Sequence, residues 1–142
     1  MTLETIQADF EFLDDWEDRY RYVIELGRRL EPLSASDKND RSKVRGCASQ
    51  VWLICDAAEV DSGDPVLTFH GESDASIVQG LIAILLSIYN NKRASEILTT
   101  NPQSIFSALG LNDHLTPQRS NGLKSMVERI RAEAKATTVQ SK

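Results

Sequence analysis

Cysteine is scarce in this chain. Only Cys47 and Cys55 occur among 142 residues. Extended chain between them would span about 26 Å, beyond disulfide reach, so a bridge would require the backbone to double back. Neither cysteine belongs to a Cys-x-x-Cys pair, and histidine is equally sparse, with His70 and His114 alone. Zinc and iron–sulfur sites need closely spaced sets of such ligands, so no bound metal is expected. Basic runs are also missing: 16 Lys plus Arg stand against 21 Asp plus Glu, a net charge of -5. That balance argues against nucleic-acid binding. The most apolar stretch, residues 77–89, is shorter than the roughly 20 residues a bilayer requires, and Gln79 interrupts it, so no membrane span is read. Met1-Thr2-Leu3-Glu4-Thr5-Ile6 lacks a basic region followed by an apolar run, so neither a secretory signal nor a transit peptide is read and a cytoplasmic location is expected. There is no internal repeat and no low-complexity segment.

What remains suits one domain over residues 1–142, long enough to bury about two thirds of its unfolded surface without disulfides or metals. Leu3, Ile6, Phe10 and Leu13 follow helical spacing. The pattern resumes with Trp16, Tyr20, Val23, Ile24, Gly27 and Leu30 after the capping pair Asp14-Asp15, giving two amphipathic helices closed off by Pro32. Residues 34–43 are rich in Asp, Asn and Ser and predict a surface loop. Two β-prone runs, 51–56 and 66–70, flank the turn chemistry of Asp61-Ser62-Gly63-Asp64-Pro65 and predict an antiparallel hairpin. In such a strand Cys55 shares the apolar face of Val51 and Leu53, a structural place for an inert thiol. Ser73 or Asp74 is expected to cap a helix over 77–89 that is apolar almost all round, as in the centre of a domain. Gly80 on that helix allows close contact with a neighbour. Asn101-Pro102 opens a short helix that Gly110 stops, and Thr116-Pro117 opens a long one with an apolar stripe of Leu123, Met126, Val127 and Ile130. The tail after Ala136 loses the pattern and is expected to fray. An α+β domain follows, with a small antiparallel sheet flanked by helices and no cofactor of its own.

The stretch Val44-Arg45-Gly46-Cys47-Ala48-Ser49-Gln50-Val51-Trp52 combines a thiol, a glycine able to turn the backbone sharply and flanking apolar residues. Lys43 and Arg45 lie just upstream, where cations favour the nucleophilic thiolate, whereas apolar burial opposes it. Val44, Val51 and Trp52 are expected to shelter the sulfur. Arg119 lies four residues before Leu123 on the inward face of the last helix, in a first turn where the helix dipole disfavours a cation. An anionic neighbour explains it, either a carboxylate or a group at the sulfur site. A Cys–His hydrolytic pair is the competing chemistry, although nothing in the sequence brings His70 or His114 to Cys47.

Gly46-Cys47-x-Ser49-Gln50-Val51-Trp52 resembles the motif of the SufE family of cysteine desulfuration proteins. Three further blocks match it in order. They are Trp16-Glu17-Asp18-Arg19-Tyr20 leading to Ile24-Glu25-Leu26-Gly27; Gly71-Glu72-Ser73-Asp74-Ala75 with Ile77-Val78; and His114-Leu115-Thr116-Pro117 with Arg119-Ser120 and Gly122-Leu123. The resemblance implies a fold shared with iron–sulfur scaffold proteins of the IscU type. It implies that Cys47 takes sulfane sulfur as a persulfide from a pyridoxal-phosphate cysteine desulfurase (SufS-like) and passes it to an iron–sulfur scaffold complex (SufBCD-like). The protein is then a carrier and activator rather than an enzyme; support of the site by Arg119 follows from its helix position and stands beside the salt-bridge reading. A Csd-type acceptor and a noncatalytic allosteric module with a structural Cys47 are the alternatives; Ser49-Gln50 leans toward the Suf type. Monomer and homodimer are both left open.

Overall fold

The computed structural model describes residues 2–47, 49–58, 64–111 and 115–140. Two helices, α1 (Leu3–Phe12) and α2 (Trp16–Arg28), precede a hairpin of β1 (Val51–Ala58) and β2 (Val66–Ser73). The central helix α3 (Ser76–Tyr89) follows, then a two-residue strand β3 (Lys92–Arg93), α4 (Ala94–Thr99), α5 (Pro102–Ala108) and the long α6 (Pro117–Gln140). The strands form one antiparallel sheet in the order β1-β2-β3, with Val51 opposite Ser73 and Ala58 opposite Val66. The α+β reading holds. The turn residues Asp61, Ser62 and Gly63 lie outside the described residues, as does His114.

Helix α3 explains its own composition. It packs against β2 on one side and α2 on the other, so eleven of its fourteen residues are buried, from Ile77 to Tyr89. The crossing with α2 is close because glycine meets glycine: a methyl on Gly27 would stand 2.6 Å from the Gly80 nitrogen, and one on Gly80 would collide with the Val23 carbonyl. Asp15 caps α2, its carboxylate accepting the Glu17 N–H at 3.1 Å. Asn101 does the same for α5, accepting from the Gln103 N–H at 3.0 Å.

Three features depart from the sequence reading. Neither Ser73 nor Asp74 caps α3, whose N-cap position is Ala75 without a side-chain bond. The Ser73 hydroxyl accepts the Ala75 N–H at 3.2 Å, and the Asp74 carboxylate turns instead to the Gln50 N–H at 3.0 Å. Strand β3 and helix α4 are too short to show a period. They nevertheless finish the β2 edge, where the Asn90 amide accepts the Phe69 N–H at 2.6 Å and donates to its carbonyl at 3.3 Å. Helix α6 continues to Gln140 rather than fraying after Ala136, with the Thr137 hydroxyl donating to the Ala134 carbonyl at 2.8 Å.

Candidate functional site

The polar segment before Cys47 is held by its own side chains. The Asn39 amide oxygen accepts the Arg41 and Ser42 N–H groups at 2.9 and 3.1 Å. Ser42, buried at 4% exposure, donates its hydroxyl to the Asp37 carbonyl at 2.6 Å. Residues 42–44 then run antiparallel to the start of β1: the Leu53 N–H donates to the Ser42 carbonyl and the Val44 N–H to the Val51 carbonyl, each at 2.8 Å. Lys43 faces Trp52 in this pairing. Cys47 therefore lies in the connection of a small hairpin, whose far side Asp74 ties down through Gln50.

Two contacts seat that connection on α6. Gly46 adopts φ +90°, a region that side chains rarely enter, and a methyl there would stand 2.5 Å from the Ser125 hydroxyl. The Cys47 thiol donates to the Gly122 carbonyl at 3.6 Å, a weak bond. Gly122 is buried under the cysteine, so that its own missing side chain leaves room for the sulfur: a Cβ would lie 3.6 Å from Sγ.

Beside the thiol opens a cavity of about 190 Å³. Val78 and Leu81 of α3 and Met126 of α6 form its apolar wall, Ser49, Thr116 and Gln118 its polar rim, and Arg119 also lines it. Among the described residues no carboxylate does. Arg119 is half-buried and enters α6 through a bond from its backbone N–H to the Thr116 hydroxyl at 3.2 Å. Among the described residues it makes no ion pair. The predicted neighbourhood of Cys47 and Arg119 is present, built from two distant segments.

Of the residues expected to shelter the sulfur, Trp52 departs. Val44 and Val51, at 4% and 0% exposure, belong to the core cluster against which Cys47 packs. Trp52 points to the opposite face of β1, where the Lys38 ammonium lies 5.6 Å above its ring and also pairs with Glu72 at 2.9 Å. The thiol pKa is raised, by burial. Arg45 is exposed, so solvent screens its charge and the desolvation of the sulfur prevails over it. Cys55 faces Phe69 across the hairpin. Burial, then the charges of Glu133 and Asp56, pushes its pKa up to about 11. Both thiols are free.

His70 sits 3.4 Å from the Asp56 carboxylate and lines a separate, larger hollow with Phe69, Gly71 and Asn90. It contributes nothing to the Cys47 cavity, so no Cys–His pair is assembled among the described residues. Nor do they hold a cluster of three or more His, Cys, Asp or Glu fit for a metal. None of their helices is long and apolar enough to cross a membrane.

A protein-family model described as the SufE Fe-S metabolism associated domain matches residues 4–134. The chain belongs to the SufE family. A SufE-like protein of Rhizobium meliloti is 55% identical over 133 residues, covering 94% of each chain. One of Rhizobium etli is 54% identical over 134 residues, covering 94% of this chain and 90% of its own. The solution structure of a hypothetical protein from Thermus thermophilus superposes with a TM-score of 0.70 at 21% identity, covering 98% of this chain and 99% of that one. At that identity the likeness speaks for the fold. SufE membership places the chain in iron–sulfur metabolism and sulfur transfer. What the sequence reading missed in this candidate site is the part contributed by α6 at Ser125 and Arg129, together with the contact that Gly122, already in the fourth matching block, makes with the sulfur. A small residue and an arginine at helical spacing from Gly122 were the only further written signal.

Proposed function

We propose that this SufE protein is the sulfur acceptor and activator of a cytoplasmic cysteine desulfurase of the SufS type. Its single domain carries sulfane sulfur as a Cys47 persulfide to an iron–sulfur scaffold complex of the SufBCD type. One observation carries the reading: the loop thiol lies at a small cavity lined also by a half-buried arginine and, among the described residues, by no carboxylate. In the transfer, the Cys47 thiolate attacks the outer sulfur of the desulfurase persulfide. The new sulfur–sulfur bond forms as the donor bond breaks, and the desulfurase cysteine leaves as a thiolate. Arg119 then supplies a positive charge for the persulfide anion, and the apolar wall of Val78, Leu81 and Met126 keeps reductants away from it.

The resting geometry supports an acceptor that opens on its partner. A thiol donates to the Gly122 carbonyl, whereas a thiolate would meet the same oxygen as a repulsive neighbour. The attacking form of Cys47 therefore favours leaving the seat, and a donor sulfur held inside another protein requires it to leave. Incubation with a SufS-type desulfurase and cysteine should add one sulfur to Cys47, seen by mass spectrometry, and none to Cys55. Equal sulfur on both thiols, or full stimulation of the desulfurase by Cys47→Ser, would overturn the assignment. The same assay run with a Csd-type desulfurase identifies the cognate donor.

A further inference from the structure

The loop that feeds Cys47 has two edges, and only one has been accounted for by β1. Backbone groups alternate along an extended segment. Ser42 and Val44 turn their polar groups toward β1, which leaves the carbonyls of Arg41 and Lys43 on the opposite edge, toward α6. Both are taken by a single side chain. The Arg129 guanidinium donates through Nη1 to the Lys43 carbonyl at 3.3 Å and through Nη2 to the Arg41 carbonyl in a short bond. Its Nε donates to the Glu133 carboxylate one turn further along at 3.2 Å, which fixes the plane of the fork.

We propose that Arg129 is the positioning residue that holds the Cys47 loop shut, by tying the base of the loop to the same helix that seats its tip. The spacing supports this directly. Gly122 receives the Cys47 sulfur, Ser125 meets Gly46, and Arg129 takes the carbonyls of Arg41 and Lys43. Positions three and seven residues after Gly122 fall on one face of α6. The tip itself is weakly held, by one long S–H···O bond and van der Waals contact. The base bonds are charge-assisted, hence the stronger ones. Arginine is the side chain suited to the task, because a planar fork can serve two carbonyls and the carboxylate at once, whereas an ammonium is a point donor. Without the fork, the base keeps its bonds to β1 but is free to tilt away from α6, and Cys47 leaves Gly122 with it.

This inference rests on reading Cys47 as the acceptor thiol, yet its test needs no desulfurase. The full chain is alkylated with iodoacetamide over a range of pH, and the Cys47 and Cys55 peptides are quantified separately over time. Losing one charge-assisted bond is worth about tenfold in an equilibrium. Arg129→Gln is therefore expected to speed Cys47 alkylation at neutral pH at least about tenfold and to move its pH midpoint down toward that of an ordinary thiol, while Cys55 becomes no faster, because Glu133 without its arginine pushes that thiol's pKa further up. Arg129→Lys, able to hold one carbonyl, should fall between the two; it decides the matter alone if the glutamine variant does not fold. An unchanged rate and midpoint at Cys47, or a rise shared equally by Cys55, would overturn the proposal. Failure of the persulfide assay would instead remove the acceptor reading and leave the alkylation result standing.

Discussion

Replacing Gly46 with valine separates a movable loop from a rigid one. Gly46 has φ +90°, where a residue with a side chain costs about 1–3 kcal/mol, and a β-branched one lies at the upper end. The new Cβ would also stand 2.5 Å from the Ser125 hydroxyl. Serine can rotate away, at about 0.5–1.5 kcal/mol if it is forced off its preferred rotamer. The closed seat is thus destabilised by roughly 2–4 kcal/mol in all. If the open loop is populated at a few per cent in the wild type, closure is worth about 2 kcal/mol, and the substitution makes the open loop the majority. Two numbers then follow. Cys47 alkylation rises toward a ceiling of about thirtyfold, and the loss of global stability is capped at about 2 kcal/mol, because the chain escapes the strain by opening. Sulfur transfer slows at the same time, since the turn that presents the thiol is lost, while docking to the desulfurase weakens less. Timed alkylation and urea unfolding measure both numbers. Stability falling by the full 4 kcal/mol or so with Cys47 still slow to react would refute an independently moving loop. Adding Ser125→Gly removes the collision but not the strained φ, so it should restore part of the closure.

Gly80→Ala offers no such escape, because its methyl meets the Val23 backbone at the α2–α3 crossing. It should cost about 3 kcal/mol or more in urea unfolding and leave the rate of sulfur acceptance per folded molecule unchanged. Arg119→Ala should lower Cys47 persulfide formation roughly tenfold while unfolding shifts by less than about 0.5 kcal/mol, given no ion pair among the described residues. Equal losses of activity and stability would favour a plain structural role. The cysteines also predict a pH dependence. Cys55 has its pKa raised from 9.0 to about 11, so the folded chain holds that proton more tightly than the unfolded one. The resulting stability is fully present below the unfolded pKa and is lost as pH rises from about 9 toward 11. Cys55→Ala should make the unfolding midpoint less sensitive to pH across that window; an unaltered slope would show that the thiol is not buried against Glu133.

How much of this was legible depended on whether a pattern is local. The helices α1, α2, α5 and α6 carry their caps and stripes within a few residues, and the hairpin shows in its alternation, so each could be read from a window of the chain. The shortest elements could not: β3 has two residues and α4 six, less than the period that would betray them. Capping of α3 failed for a different reason. Asp74 has the right chemistry for a cap, but the Gln50 N–H competes for the same oxygen, and that competitor is distant in sequence. The site divides in the same way. Cys47 and the inward face of Arg119 were evident, whereas the direction of the Cys47 pKa depended on weighing burial against Arg45, which requires knowing that α6 covers the sulfur and that Arg45 faces water. Trp52, adjacent to an apolar run, read as shelter; strand alternation carries it instead to the Lys38 side.

The raised thiol pKa and the seat on α6 are one free energy seen twice. If closing the loop makes the Cys47 proton harder to remove, removing that proton must favour opening by the same factor. Under the proposed function, an empty carrier is therefore held as a neutral thiol against the Gly122 carbonyl, poorly nucleophilic. A loaded carrier is different. Its outer sulfur bears the negative charge and extends further from the backbone than the thiol did, so the carbonyl is no longer its best neighbour. The cavity beside it has room, an apolar wall and Arg119. Loading thus exchanges one reason for closure, a thiol donating to a carbonyl, for another, an anion near a guanidinium. Arg129, which bonds to backbone in both cases, need not change. On this physical reading the two arginines divide the work: Arg129 sets where the loop rests, and Arg119 distinguishes the loaded state from the empty one.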